Sequence, residues 1–83
     1  MPREFAADLN SNGLRYALPK TSHVRIVCFD LRGRLVASLM NRTQSPGYYA
    51  LPVNRLIRSG GTYCVVFEAG SFIKRSVVVM IKK

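Results

Sequence analysis

The side chains that could bind a transition metal are few in this chain. One histidine, His23, and two cysteines, Cys28 and Cys64, are the candidate ligands. In the alternating apolar pattern Cys28 shares a face with Val24 and Ile26, whereas Cys64 alternates against the inward set of its own strand. The two thiols are therefore expected on opposite faces, so the sequence predicts neither a metal site nor a disulfide between them.

The acidic residues offer no catalytic pair. The four of them, Glu4, Asp8, Asp30 and Glu68, are scattered along the 83 residues. Acid–base catalysis needs titratable groups that converge and shift one another's pKa. No G-x-S-x-G nucleophile motif occurs, and no glycine-rich loop leads into a helix to hold phosphate. We expect a protein that is not an enzyme and has no cofactor.

Positive charge is the strongest compositional signal. Thirteen Lys and Arg residues stand against four Asp and Glu, which gives a net charge of +9. Such a balance attracts polyanions as a class, including nucleic acid, acidic polysaccharide and acidic proteins. The same residues would also serve simply as the solvent-facing side chains of a sheet.

Two groups of residues could bind an extended polymer. Tyr48 and Tyr49 are adjacent on one strand, so one ring should face outward, where it could stack on a sugar or merely cover the sheet edge. The chain has no Trp, which counts against a carbohydrate module. The second group would be a basic platform for single-stranded nucleic acid, formed on neighbouring strands by Arg15, Arg25 and Arg75 beside Phe29.

Short alternating runs separated by glycine turns position these side chains. They predict strands at 5–9 (a weak edge strand), 14–18, 23–30, 35 to 39 or 40, 48–53, 62–68 and 72–81. Residues 41–46 are expected to be a polar loop, 55–57 a helical turn, and Gly33 a positive-φ hairpin residue. The pattern indicates a small all-β sandwich or barrel. No apolar run is long enough for a membrane span.

The order of these motifs resembles that of one known family. The motifs are Leu18-Pro19, a valine-rich strand ending in Phe29-Asp30, Gly33-Arg34, Pro46-Gly47-Tyr48, Ser59-Gly60 with Tyr63, Ala69-Gly70, and Lys74-Arg75 to Lys82. They resemble the C-terminal sorting domains of the bacterial type IX secretion system and the related Ig-like domain of flagellar hook-capping proteins. The chain departs from the family where Pro52-Val53-Asn54 replaces a common Trp-Asp, and where Gly61 is an extra glycine.

The resemblance implies a single Ig-like (fibronectin III-like) antiparallel β-sandwich of about seven strands over residues 1–83. Within it, residues 1–12 would be a weak edge strand or linker and residues 13–83 the core. The structural motif positions would be Gly33, Gly47, Gly60, Tyr63 and Gly70.

The same resemblance implies a non-catalytic sorting or attachment domain of a longer bacterial protein, a secreted polysaccharide-degrading enzyme. The protein would be secreted or held at the cell surface. Its partner would be the secretion machinery or a surface component, contacted through Lys74, Arg75, Lys82 and Lys83. One alternative is a carbohydrate-binding accessory module that uses Tyr48 and Tyr49 on acidic or neutral polysaccharide. The other is a polyanion-binding domain, with nucleic acid the least favoured partner.

Overall fold

The computed structural model describes residues 2–10, 13–53, 57 and 60–80. These residues form seven antiparallel strands in two sheets, which confirms the all-β prediction. The strands are β1 (Ala6–Asn10), β2 (Gly13–Leu18), β3 (Ser22–Asp30), β4 (Leu35–Gln44), β5 (Gly47–Leu51), β6 (Gly61–Ala69) and β7 (Phe72–Met80).

The two sheets divide the strands unevenly. One sheet has three strands in the order β1-β2-β5, and the other has four in the order β4-β3-β6-β7. The connections from β2 to β3, from β4 to β5 and from β5 to β6 therefore cross from one sheet to the other. Crossing connections of this kind bring the inner faces of two sheets together over one core.

The core lies between the sheets and follows the two-residue period of the strands. In β3, Val24, Ile26 and Cys28 are fully buried, and in β6, Val65 and Phe67 lie opposite them in the same cluster. The three-stranded sheet supplies Ala7, Leu14, Tyr16 and Leu18 to that cluster. Each large apolar side chain removed from water contributes about 1.5–3 kcal/mol.

A buried hydrogen bond joins the two sheets. The Tyr16 hydroxyl of β2 donates to Oε1 of Gln44, at the end of β4, over 2.5 Å. Burial raises the pKa of Tyr16. A buried amide oxygen with a partner avoids the penalty for an unpaired polar group.

The observed β4 corrects one prediction. A polar loop was expected at 41–46, but the strand continues to Gln44, pairing Asn41 with Arg25, Thr43 with His23 and Gln44 with Ser22. The expectation was wrong because β4 is an edge strand, where polar side chains remain solvated while their backbone pairs with β3. Two register shifts interrupt the β3–β4 pairing nearer the hairpin, one between Ile26 and Val27 and one between Cys28 and Phe29.

The remaining bounds agree with expectation to within one or two residues. The weak first strand is β1, which pairs fully with β2. Most of the predicted helical turn at 55–57 lies outside the described residues. Ile57, which is described, is buried, and its N–H donates to the Val53 carbonyl over 3.0 Å.

The hairpin between β3 and β4 is organised by Asp30. Its Oδ1 accepts the N–H groups of Arg32 and Arg34, each at 2.9 Å, and its Oδ2 lies 3.3 Å from Nε of Arg34. These bonds, the Arg34 backbone bond above all, lower the pKa of Asp30. Gly33 has φ of 83°, which confirms the predicted left-handed turn residue.

The two cysteines are free and lie on different faces, as predicted. Cys28 points into the core, and burial raises its pKa to about 11. Cys64 pairs in register with Phe29 and is partly exposed on the outer side of the sheet. Side chains on opposite faces of a sheet cannot form a disulfide without backbone movement.

Candidate docking surface

The predicted basic residues of β7 do not act together. Lys74 pairs with Phe67 and so lies on the inner side of the strand, whereas Arg75 pairs with Val66 on the outer side. The Lys74 ammonium donates to the main-chain carbonyl of Ala7 over 2.6 Å and thereby links β7 to β1. Lys82 and Lys83 lie outside the described residues. Of these four basic residues, Arg75 is thus the one that the described structure puts on the outer side of the four-stranded sheet.

The outer face of the four-stranded sheet is unusually apolar. Strand register aligns Phe29, Cys64 and Val77 in one row, with Val27, Val66 and Arg75 in the next. A third row contains Arg25, Glu68 and Ile73. We call the side chains of these three rows, together with Val79 and Leu31, the outer face. Antiparallel sandwiches normally turn polar side chains to solvent here.

Burial divides the outer face into a covered floor and an exposed margin. Val27 and Val66 are 3% and 8% exposed, although neither belongs to the core cluster between the sheets. On the edge strand β7, Ile73, Val77 and Val79 are 54%, 67% and 61% exposed. On this side of β7, Arg75 lies between Ile73 and the pair Val77 and Val79. A group of exposed apolar side chains on a small domain is typical of an interaction site.

A groove of about 440 Å³ crosses this face. Its floor includes Val27, Val66 and Cys64, and the hairpin residues Leu31 and Gly33 form one end. At the other end Arg25 lies 3.6 Å from Glu68, so the two charges largely offset each other. Arg75 also lines the groove and joins no ion pair among the described residues. Asp30 lines the groove as well, so the groove combines an apolar floor with two cationic and two acidic side chains, of which Arg75 alone is outside the ion pairs of the described residues.

Sequence reasoning did not identify the apolar margin of β7. The signal was present in the consecutive Val77, Val78 and Val79, which break the expected alternation. Val78 is buried in the core, and its two neighbours point outward. An outward valine on each side of an inward one marks a strand that is apolar on both faces.

Tyr48 and Tyr49 point in opposite directions, as predicted. Tyr48 is 75% exposed on the outer side of the three-stranded sheet. Tyr49 turns inward, where its ring stacks on Tyr16 with centroids 5.2 Å apart, and its hydroxyl donates to the Ser45 carbonyl over 2.6 Å. Tyr49 therefore has a structural role, and Tyr48 is the accessible ring.

The predicted platform of three arginines is wrong. Arg15 lies in β2, in the three-stranded sheet, whereas Arg25 and Arg75 lie in the four-stranded sheet with Phe29. The prediction failed because β2 and β3 are consecutive in sequence but belong to different sheets. Arg25 and Arg75 remain on one sheet, but their attraction for an anion is reduced because Arg25 is paired with Glu68.

The glycine and tyrosine positions of the expected motif lie at or near the ends of strands. Gly47 and Gly70, like Gly33, have positive φ. The Tyr63 side chain is buried in the core, and its hydroxyl lies 3.4 Å from the Gly60 carbonyl oxygen. These residues shape the ends of strands and do not line the groove on the outer face, apart from Gly33.

His23 is engaged with the neighbouring strand. Its Nε2 lies 2.6 Å from Oδ1 of Asn41 and its Nδ1 lies 3.4 Å from Oγ1 of Thr43. Within the described ranges, no three His, Cys, Asp or Glu side chains are grouped closely enough to hold a metal ion. The described part of the chain also contains no helix long and apolar enough to cross a membrane.

Comparison with known proteins gives no relative. The chain has no significant match to a protein-family model, to a curated protein or to a solved structure. The fold and the surface described above are therefore the observations on which a function can be argued.

Proposed function

We propose that this chain is a non-catalytic Ig-like domain that directs an exported protein to the type IX secretion machinery or to a cell-surface component. The strand order supports the Ig-like assignment. Constant-type Ig sandwiches combine their first, second, fifth and fourth strands in one sheet and their third, sixth and seventh in the other. This chain has the same arrangement, except that β4 pairs with β3.

The observation that carries the proposal is the exposed apolar outer face. Ile73, Val77 and Val79 are more than half exposed on β7, beside a groove with a buried apolar floor. In a domain with no partner, such a face would favour aggregation in solution. A docking partner that covers it would gain the hydrophobic free energy of that area.

Charge suggests the chemistry of the partner. Arg75 lines the groove and joins no ion pair among the described residues, and the chain as a whole carries +9. A partner with acidic residues around an apolar protrusion would complement both features. Long-range attraction would increase its rate of association, and apolar contact would hold the complex.

Export of a reporter tests the proposal. The chain is joined to a signal-peptide-bearing fluorescent reporter in a bacterium that has a type IX secretion system. We expect the fusion in the medium or on the cell surface, and the reporter alone in the periplasm. In a matched strain whose secretion system is inactivated, the fusion should remain in the periplasm. A folded fusion that stays in the periplasm of the competent strain would refute the proposal.

A further inference from the structure

A second groove lies on the opposite side of the molecule, on the outer side of the three-stranded sheet. It has a volume of about 370 Å³ and is open to solvent. Register aligns Ala6, Ala17 and Tyr48 across β1, β2 and β5. The two alanines give a shallow apolar floor, and the exposed ring of Tyr48 forms one wall.

Two charged side chains stand at one end of this groove. Asp8 and Arg15 are direct partners in the β1–β2 register, in the row next to Ala17. Among the described residues neither takes part in an ion pair shorter than 4 Å. The carboxylate can therefore accept, and the guanidinium donate, hydrogen bonds to a ligand in the groove. Their charges cancel locally, although the chain is strongly basic.

The groove continues past Arg15. An adjoining depression of about 160 Å³ is lined by Asn10, Gly13, Arg15, Ala50 and Pro52, among others. Rows two residues apart along a strand are about 7 Å apart, so the two depressions span about 14 Å. This length suits a polymer of several rings better than a single small molecule.

We propose that this groove binds a neutral polysaccharide, with one sugar ring on Tyr48 and the next at Asp8 and Arg15. A pyranose ring presents C–H groups on its faces, which pack on an aromatic ring, and hydroxyl groups at its edge. The groove matches both parts of the sugar. The Tyr48 ring and the alanine floor are apolar, and the hydrogen-bonding groups of Asp8 and Arg15 lie at one end.

A neutral chain fits better than the other polymers that the composition allows. Because the charges of Asp8 and Arg15 cancel locally, the groove offers the carboxylates of an acidic polysaccharide no net attraction. A nucleic acid would need several cations along its backbone, and among the described residues Arg15 is the one cationic side chain that lines either depression. This site is on the sheet opposite the docking surface, so its test is independent of the proposed export function.

The test is a titration of the whole chain with cellohexaose, xylohexaose and hexagalacturonate, followed by NMR of backbone amides. For an open site of this size we expect a dissociation constant on the order of 1 mM for at least one neutral hexamer. The largest shifts should fall in β1, β2 and β5. Tyr48→Ala should weaken binding at least about tenfold, and Tyr48→Phe should retain it.

Leu31→Ala is the matched control. Leu31 is 73% exposed, close to the value for Tyr48, but belongs to the hairpin of the other sheet. Its replacement should leave the affinity unchanged. The proposal is overturned if neither neutral hexamer shifts the amide signals of β1, β2 and β5 at a hexamer concentration of about 20 mM, which is 20-fold the expected dissociation constant. It is overturned as well if Tyr48→Ala binds as the wild type does, or if hexagalacturonate alone binds.

Discussion

The ammonium group of Lys74 lies 2.6 Å from the main-chain carbonyl oxygen of Ala7, and so ties an edge strand of one sheet to an edge strand of the other. From sequence, Lys74 and Arg75 looked like adjacent parts of one binding surface. The structure separates them by strand face, and this separation makes their roles testable as a pair.

Removing the Lys74 amine should cost stability. We expect Lys74→Met to lower the free energy of unfolding by about 1 kcal/mol, because the side chain keeps its length but loses a charge-assisted hydrogen bond. Arg75→Met, the adjacent control on the outer side, should change it by less than about 0.5 kcal/mol. Urea denaturation measures both. Equal effects of the two substitutions would show that Lys74 does not link the sheets.

The buried bond between Tyr16 and Gln44 should contribute more than an exposed one. Tyr16→Phe leaves the Gln44 amide oxygen unpaired in the core, at an expected cost of about 1–3 kcal/mol. Tyr49→Phe is the matched control, because its hydroxyl bonds to an exposed carbonyl, and its cost should be about 0.5 kcal/mol.

A double-mutant cycle checks whether the cost belongs to that bond. Gln44→Met removes the other partner, and Tyr16→Phe combined with Gln44→Met leaves no unpaired polar atom. The double variant should therefore be more stable than the sum of the single losses predicts. Strict additivity in urea denaturation would mean that the two side chains are not coupled.

The ionised Asp30 carboxylate in the β3–β4 hairpin should make the free energy of unfolding depend on pH. Hydrogen bonds from Arg34 and Arg32 hold the pKa of Asp30 below its usual value in the folded state. Its contribution is therefore complete above the unfolded-state pKa of about 3.9 and is lost as the pH falls through the lower folded-state pKa. Asp30→Asn should be less stable than the wild type at pH 7, and this difference should shrink below pH 4.

Denaturation at a series of pH values between 7 and 2 provides that measurement. Asn retains an oxygen that can accept the N–H groups of Arg32 and Arg34, so the variant isolates the effect of the charge. A stability difference that is constant over this range would contradict the role given to the ionised carboxylate.

Much of the fold could be read from the sequence, because strand period and turn chemistry are local. The β3 strand and its turn at Gly33 followed from alternating Val24, Ile26 and Cys28 and from one glycine. The continuation of β4 to Gln44 could not be predicted in this way. It depends on backbone pairing with β3 and on a buried bond to Tyr16, both distant in sequence.

The candidate surfaces were less predictable than the fold. Their composition depends on which strands share a sheet, and sequence order does not give that. Arg15 was separated from Arg25 for this reason. The position of Asp8 beside Arg15 required the register of β1 with β2. The outward direction of Val77 and Val79 required the register of β6 with β7.

The most direct test of the central claim places charge on the apolar outer face. Val77→Glu with Val79→Glu should reduce export of the reporter fusion at least about tenfold, because two carboxylates would have to be desolvated at the docking surface. Tyr48→Glu with Ala50→Glu is the matched control, since it adds the same charge at the same spacing on the other sheet. The control should be exported as the wild type is. Normal export of a folded Val77→Glu, Val79→Glu fusion would contradict the assignment of this face as the docking surface.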